Sequence, residues 1–215
     1  MDPVPILLFA KAPVPGRVKT RLIPVLGAEG AARLTQELAA TCIAAAVASR
    51  TGPVSLWGTP DCLHPFFARM SRDHGVELRT QEGRDLGERM DHALSVSLNQ
   101  HAAVLLAGTD LCHPTPRLFR TAAELLTRGT AEAVLVPSVD GGYVLIGLRK
   151  PCPQLFRDLD WGTEGVCAET LRRMDAQALT CRLLPPERDL DTAADYALWA
   201  GEKSGTSGQE GRDPV

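Results

Sequence analysis

The sequence predicts a three-layer α/β/α domain built on a mixed, mostly parallel sheet. Short apolar runs alternate along the chain with longer segments of helical periodicity. The run at residues 103–107, Ala-Val-Leu-Leu-Ala, is apolar throughout, which is typical of a central strand covered on both faces. The runs at 133–137 and 144–148 are joined by a connection so short that this pair must be antiparallel. The sheet is therefore predicted to be mixed.

The predicted elements follow one another with ordinary boundary signals. Predicted strands lie at residues 6–9, 54–58, 76–79, 103–107, 133–137, 144–148 and 179–184. Predicted helices lie at 29–49, 63–73, 81–99, 115–128, 167–174 and 189–199. The segment 155–166 is expected to be irregular. Thr115 followed by Pro116 is a helix-start signal, and Thr192 with Asp195 matches a capping box.

Length and composition predict one domain. With 215 residues, 44% of them hydrophobic, the chain can bury one core of ordinary size. We expect residues 1–200 to form a single nucleotide-binding domain. The Gly-, Ser- and charge-rich segment 201–215 is expected to be a disordered tail.

Charge and cysteine usage limit the partners. The net charge of -3 and the pI near 6.0 argue against a nucleic-acid-binding surface. No signal peptide and no apolar stretch of about 20 residues is evident, so we expect no membrane partner and a cytoplasmic location. The six cysteines show no metal-ligand spacing and are expected to be reduced thiols, without a structural zinc.

The loop after the first strand is the first candidate site. It concentrates Lys11, Arg17, Lys19 and Arg21 around Gly16, which can bend or approach a ligand closely. Exposed cations of a solvated loop are the equally common alternative. The position favours function, because ligands of open α/β sheets bind at the carboxyl ends of the strands. We predict a phosphate-binding loop.

An acidic set forms the second candidate site. Asp110 directly follows the central strand, and Asp191 precedes the last helix, with Asp189 a weaker candidate. Carboxylates together with substrate phosphates are typical ligands of Mg²⁺. The structural alternatives are that Asp110 caps a turn and that the acidic run only starts the helix that Thr192 caps.

A glycine-rich turn forms the third candidate site. Asp140 and Gly141 between two apolar runs already suit a hairpin turn. Gly142 is not required by a hairpin and would suit close approach of the backbone to a substrate. With Tyr143, these residues are predicted to bind an acceptor, with a purely structural turn as the alternative.

A weaker fourth signal precedes the third helix. Asp85 and Gly87 stand at its start, where an acidic residue also satisfies the helix dipole without any ligand. The structural alternative for Arg89 is that it only pairs with Asp85 or Glu88. The histidines are scattered, and no Ser/His/Asp or Cys/His set is evident.

Five ordered motifs between about residues 6 and 199 carry a family resemblance. They are Phe9-x-Lys11-x-Pro13-x-x-Gly16-x-x-Lys19-Thr20-Arg21-Leu22, Gly83-x-Asp85-Leu86-Gly87-x-Arg89-Met90, Gly108-Thr109-Asp110, Asp140-Gly-Gly-Tyr143 and Asp189-Leu-Asp-Thr192. With them the chain resembles the radical-SAM/selenodomain-associated transferases of the GT-A superfamily, whose fold is the Rossmann-like nucleotide-diphospho-sugar transferase fold. The first and last motifs also resemble 2-phospho-L-lactate guanylyltransferase.

The resemblance implies roles for the candidate residues. It implies that Lys19, Arg21 and Asp110 are catalytic, and that Asp110 and Asp191 hold Mg²⁺ or Mn²⁺. The expected nucleotide and phosphate contacts are Lys11, Gly16, Arg17, Lys19, Arg21, Asp85, Gly87 and Thr109. The sequence departs from the family pattern after Asp110, where Cys112 and His113 replace a proline and an acidic residue. That departure leaves the acceptor side in question.

The expected activity is a metal-dependent transfer from a nucleotide-activated donor to a small acceptor. Four cations within Lys11 to Arg21 favour attack on a nucleoside triphosphate, because pyrophosphate then leaves. Nucleotidyl transfer to a small acceptor, which could be phosphorylated, is therefore narrowly preferred. The alternatives are glycosyl transfer from a nucleotide-diphospho-sugar and a non-catalytic nucleotide-binding regulator.

Overall fold

The computed structural model describes residues 2–206, and one seven-stranded sheet runs through them. The strand order is β3-β2-β1-β4-β6-β5-β7. Only β6 runs antiparallel to its neighbours β4 and β5 among the described strands. The strands are β1 Ile6–Lys11, β2 Val54–Thr59, β3 Glu77–Thr80, β4 Val104–Gly108, β5 Ala133–Pro137, β6 Tyr143–Leu148 and β7 Cys181–Leu183. The predicted mixed, mostly parallel sheet is confirmed.

Among the described residues, five α-helices connect strands and a sixth follows β7, with short 3-10 helices at Thr20–Leu22 and Pro153–Leu155. The α-helices are α1 Ile23–Ser49, α2 Pro65–His74, α3 Leu86–Leu98, α4 Pro116–Thr127, α5 Val166–Ala176 and α6 Ala193–Thr206. Helix α1 is interrupted at Gly27, whose φ of 68° is not helical. Its regular part therefore starts close to the predicted position.

Two predicted helix starts are confirmed in atomic detail. The Thr115 side chain accepts a hydrogen bond from Leu118 N at 3.2 Å, with Pro116 in the first turn. At α6, Asp195 Oδ2 accepts from Thr192 N at 2.7 Å, and Thr192 Oγ1 accepts from Asp195 N at 3.3 Å. These reciprocal bonds form a capping box.

The predicted start of the tail at residue 201 is wrong, because α6 continues through Gly201 to Thr206. Side chains hold this turn: Glu202 pairs with Arg188 and His113. Lys203 pairs with Glu37 and lies 4.2 Å from the centroid of the Trp199 ring. The remainder of the expected tail, 207–215, lies outside the described residues.

The core has two layers, one on each face of the sheet. Alternate residues of β1 point to opposite faces, as the pleat of a strand requires. Leu8 packs with residues of α1, α2 and α4. Leu7 and Phe9 pack with residues of α3 and α5 on the other face. This arrangement confirms the three-layer architecture.

Two further sequence features have structural counterparts. Within residues 2–206, no helix has the length and apolar character needed to cross a membrane. All six cysteines are described, and each is a free thiol.

Burial, followed by the charge of Asp110, raises the pKa of Cys42 to about 12.

The order of the strands defines a crevice between β1 and β4. Strand β1 is followed by α1 and by β2 on one side, whereas β4 lies on its other side. This is a topological switch point, where ligands of open α/β sheets bind. The loop after Lys11 and the segment after Gly108 both begin there.

Candidate active site

The ion pair between Lys19 and Asp110 lies at the centre of the site. Lys19 Nζ is 2.9 Å from Asp110 Oδ1 and also donates to Leu190 O. The Lys19 side chain is only 4% exposed, so these partners compensate an otherwise costly buried charge. Its backbone is left-handed, with φ 43°, and follows a turn at Gly16 with φ 79°. The local backbone thus turns this lysine inward.

Backbone bonds join the segment after β4 to the segment before α6. Leu190 N donates to Asp110 O at 2.9 Å, and Cys112 N donates to Arg188 O at 2.8 Å. Thr109 is buried, and its Oγ1 donates to Phe9 O at 3.2 Å. These bonds hold the Asp110 segment between β1 and the last loop. Thr109 therefore supports Asp110, and its hydroxyl is already bonded to β1.

A second ion pair joins the same two segments of chain. Arg21 Nη1 is 2.9 Å from Asp191 Oδ2, with the two side chains 70% and 46% exposed. The capping box of α6 uses the carboxylate of Asp195, which also accepts from Asp191 N at 3.2 Å. The cap therefore does not need the Asp191 carboxylate. That carboxylate remains directed to the loop after β1.

Asp189 completes a group of acidic side chains. Burial raises its pKa to about 6, and the charges of Asp140, Asp110 and Asp191 add to this rise. Asp189 is thus within electrostatic reach of three other carboxylates. Such repulsion would be relieved by a divalent cation, for which carboxylate oxygens are suitable ligands.

The fit to a metal ion depends on additional donor atoms. Among the described residues, no group of three or more His, Cys, Asp or Glu side chains is arranged to hold a metal. Asp110 and Asp191 instead contact Lys19 and Arg21. Mg²⁺ is commonly held by one or two carboxylates together with substrate phosphates and water, so two carboxylates suffice when a phosphate is present.

A cavity of about 210 Å³ adjoins this acidic group. Its walls come from the two faces of the crevice, from α3 and from the segment before α5. The residues that line it are Phe9, Leu86, Met90, Leu106, Gly108, Ser138, Asp140, Gly142, Tyr143, Val144, Trp161, Gly162, Thr163, Val166 and Asp189. The structure therefore brings most of the predicted acceptor residues into one cavity with Asp189.

The turn at Asp140 has both structural and cavity-lining residues. Asp140 Oδ1 accepts from Gly142 N at 3.0 Å and from Ser138 Oγ, which accounts for an acidic residue at this turn. Gly141 has φ 91°, and a Cβ there would lie 2.2 Å from Glu164 O. Gly141 is thus explained by backbone geometry. Gly142 lines the cavity, and a Cβ there would lie 3.0 Å from Ser138 Oγ.

Trp161 is a cavity residue that the sequence did not single out. Its ring meets Tyr143 edge-on, with centroids 6.2 Å apart and planes at 74°. It lies in the segment expected to be irregular, which carries no periodic signal. Only an aromatic residue in a polar loop could have pointed to it.

Asp85 and Gly87 lie in a different cavity, of about 400 Å³, beside α3. Asp85 caps α3 by accepting from Glu88 N at 2.8 Å. A Cβ at Gly87 would lie 2.3 Å from Phe156 O, so close packing explains this glycine. The Arg89 guanidinium bonds elsewhere than to Asp85 or Glu88: its Nε donates to Gly83 O at 3.0 Å. Glu88 pairs with Arg84 instead.

Cys112 and His113, where the sequence departs from the family pattern, hold α6 in place. Trp199 Nε1 donates to Cys112 O at 3.2 Å. His113 Nε2 is 2.6 Å from a carboxylate oxygen of Glu202. Neither residue lines the cavity beside Asp189. The two residues that differ from the family pattern are therefore contacts between the segment after β4 and helix α6.

A family model places the chain. The model described as "Uncharacterized protein conserved in bacteria (DUF2064)" matches residues 42–163. The chain belongs to this family. Comparison with curated proteins finds no match.

Solved structures share the fold of this DUF2064 protein. A candidate nucleotide-diphospho-sugar transferase from Desulfovibrio desulfuricans G20 is 30% identical over 98% of this chain and 91% of its own, with a TM-score of 0.86. The 4-diphosphocytidyl-2C-methyl-D-erythritol synthase from Anaerococcus prevotii is 9% identical, with a TM-score of 0.63 over 94% and 96% of the two chains. The Mycobacterium tuberculosis protein Rv0371c, in complex with manganese, is 14% identical, with a TM-score of 0.54 over 93% and 98%. The resemblance to the GT-A-like nucleotide transferase fold is thereby confirmed.

Proposed function

We propose that this protein is a transferase that acts on a nucleotide-activated donor. The observation that carries the proposal is the buried Lys19 ammonium on Asp110 at the β1/β4 switch point. This pair presents a cation and a carboxylate together where a donor phosphate and its metal would bind. The names of the structural relatives support the same class of activity.

The donor phosphates are assigned to the loop after β1. Lys11 and Arg17 are exposed and make no ion pair with the described residues. Arg21 is bound only through a largely exposed pair, which a competing phosphate can replace at little cost. Lys19 is held in place by its buried contacts. The loop thus combines a fixed cation with movable ones.

Asp110 and Asp191 are the residues that would hold Mg²⁺ or Mn²⁺. The manganese complex of Rv0371c supports a divalent ion for this fold. A bound ion would neutralise charge on the donor phosphates. Lys19 and Arg21 contact the same two carboxylates.

Nucleotidyl transfer is the preferred reaction. An acceptor oxygen attacks the α-phosphorus of a nucleoside triphosphate, the new P–O bond forms, and the bond to pyrophosphate breaks. A hydroxyl acceptor releases its proton, whereas an ionised phosphate acceptor has none to lose. The cations along Lys11 to Arg21 favour this reaction because the leaving group carries high negative charge.

Glycosyl transfer is the second candidate. The D. desulfuricans relative supports it, being named for nucleotide-diphospho-sugars. The acceptor oxygen would then attack the anomeric carbon, and the nucleoside diphosphate would leave.

A non-catalytic nucleotide-binding regulator is the third candidate function. We also propose a cytoplasmic location, with a nucleotide and a small molecule as the partners.

A thermal-shift panel tests the proposal. Nucleoside triphosphates and sugar nucleotides are added with and without Mn²⁺, and a ligand at 100 times its Kd stabilises by about 2.7 kcal/mol. We expect metal-dependent stabilisation, strongest with a triphosphate, that Asp110→Asn removes. Stabilisation by sugar nucleotides alone would favour glycosyl transfer. No response to any nucleotide would refute the proposed function.

A further inference from the structure

The cavity beside Asp189 is lined by carboxylates and by no cationic side chain among the described residues. Two of its lining residues, Asp140 and Asp189, are acidic, and none of the described lining residues is Lys, Arg or His. The candidate phosphate-binding cations all belong to the loop after β1, which contributes no residue to this cavity. The two sites therefore differ in charge although they adjoin.

The rest of the cavity lining is mostly apolar and aromatic, with hydroxyl groups from Ser138 and Thr163. Trp161 and Tyr143 form one wall, with their rings edge-on at 6.2 Å. Phe9, Leu86 and Met90 contribute to the other walls. Ligand sites are usually apolar with a few polar groups that set orientation, and here the charged ones are both carboxylates. Carboxylates accept hydrogen bonds and, when ionised, donate none.

We infer that this cavity binds a small, non-anionic acceptor that carries hydroxyl or amino donors on an apolar ring or chain. The inference rests on the proposed transferase function and names the acceptor class for it. A phosphorylated or carboxylated acceptor would face two like charges, and no Lys, Arg or His lines the cavity to compensate them, which disfavours binding. Donor hydrogens of hydroxyl or ammonium groups are instead complementary to Asp140 and Asp189.

The volume agrees with a small acceptor. At about 210 Å³ the cavity is below the range of roughly 300–1,000 Å³ that is usual for drug-sized ligands. It also adjoins the Asp110 group, because Gly108 and Asp189 line it. An acceptor seated there lies next to the donor phosphates. This geometry suits direct transfer to one of its hydroxyl or amino groups.

Trp161 allows the charge of the cavity to be measured without knowing the acceptor. The other tryptophans, Trp57 and Trp199, are only 2% and 6% exposed. The difference between wild type and Trp161→Phe therefore isolates the Trp161 fluorescence. Quenching by caesium and by iodide is compared, each normalised to free N-acetyltryptophanamide. We expect caesium to quench Trp161 at least about threefold more effectively than iodide, and Asp140→Asn to reduce this caesium-to-iodide quenching ratio. Equal or stronger quenching by iodide would overturn the inference.

The second experiment measures donor consumption with matched acceptors of one skeleton: methyl glucoside, glucosamine and glucose 6-phosphate. The donor is the nucleotide that stabilises the protein most in the presence of Mn²⁺. We expect the neutral or the cationic sugar to exceed the phosphate ester at least tenfold, and Thr163→Lys, at the cavity wall, to narrow that gap. Equal or faster reaction of the phosphate ester would overturn the inference. Loss of nucleotide binding would instead refute the proposed function, while the quenching ratio would still report the cavity charge.

Discussion

Lys19 combines two features that rarely occur together, a buried ammonium and a left-handed backbone. The φ of 43° directs the side chain inward, and Asp110 and Leu190 O receive it. A left-handed non-glycine residue carries a modest cost, which the surrounding contacts must offset. Strain of this kind is common at functional sites. It supports the assignment of Lys19 as the fixed cation of the donor site.

We predict that Lys19→Met and Asp110→Asn each lower turnover by about 100-fold or more, because either change removes electrostatic stabilisation of the leaving group. Lys19→Met should lower the free energy of unfolding by about 1 kcal/mol, since Asp110 is 54% exposed and can be hydrated. Asp110→Asn should lower it more, because the buried Lys19 ammonium then keeps only Leu190 O and a neutral amide as partners. Single-turnover rates and urea denaturation measure the two effects.

Arg21→Gln is the matched control for stability. Its partner pair is largely exposed, so the free energy of unfolding should change by no more than about 0.5 kcal/mol. Turnover at the wild-type rate in Lys19→Met or in Asp110→Asn would contradict the site assignment.

At the scale of single elements, Glu169 on α5 organises the loop that precedes the helix. It accepts hydrogen bonds from Arg172 at 2.7 Å and from Arg173 at 2.6 Å. Arg173 in turn donates to Gln154 O at 3.0 Å and to Asp158 O at 3.3 Å. The hydrogen bonds of Arg172 and then Arg173 lower the pKa of Glu169 from 4.5 to about 2. An acidic residue thus holds the loop through an arginine.

A pH dependence follows from this lowered pKa. The stabilisation is present above pH 4.5 and is lost as the pH falls towards 2, because protonation removes the charge that the arginines contact. Glu169→Gln should therefore lower the Tm at neutral pH and flatten the decline of Tm with pH in this window.

Glu164→Gln is the control for that measurement, since Glu164 makes no ion pair among the described residues. Thermal unfolding followed by circular dichroism between pH 2 and 7 gives the comparison. Parallel Tm curves for Glu169→Gln and wild type would show that the arginine contacts do not contribute.

At the scale of the whole molecule, Gly87 is where two parts of the chain meet. A Cβ at this position would lie 2.3 Å from Phe156 O and 2.9 Å from Trp161 Nε1. The start of α3 therefore packs directly on the segment that carries a wall of the acceptor cavity. This contact couples the shape of the cavity to the position of α3.

We predict that Gly87→Ala lowers the free energy of unfolding by about 1–3 kcal/mol, because the backbone at Phe156 must move. Gly201→Ala in α6 is the matched control: among the described residues, nothing outside its chain neighbours and its own helical backbone lies within 4 Å of the added Cβ, and alanine favours a helix by up to about 1 kcal/mol. Urea denaturation measures both variants. Equal stability of Gly87→Ala and wild type would mean that this packing is readily relaxed.

Local patterns were sufficient for the layers of the fold and for several caps. The apolar run that became β4 and the Thr115 and Thr192 caps depend on neighbouring residues, so the sequence reveals them directly. The cluster of cations in the loop after β1 is likewise visible in consecutive residues of the sequence. The end of α6 was mispredicted because distant side chains, Glu37 among them, extend it beyond Gly201.

Long-range pairing decided which candidate residues meet. The backbone bonds between the Asp110 segment and residues 188–190 bring Lys19 onto Asp110, which no local pattern reports. Packing likewise assigned Gly87 to a contact with Phe156 and placed Trp161 in the cavity wall. Periodicity and capping are encoded by neighbours in the chain, whereas a site is made of residues far apart in sequence. Their chemistry is therefore readable from the sequence, but their partners are determined by how the sheet and its loops assemble.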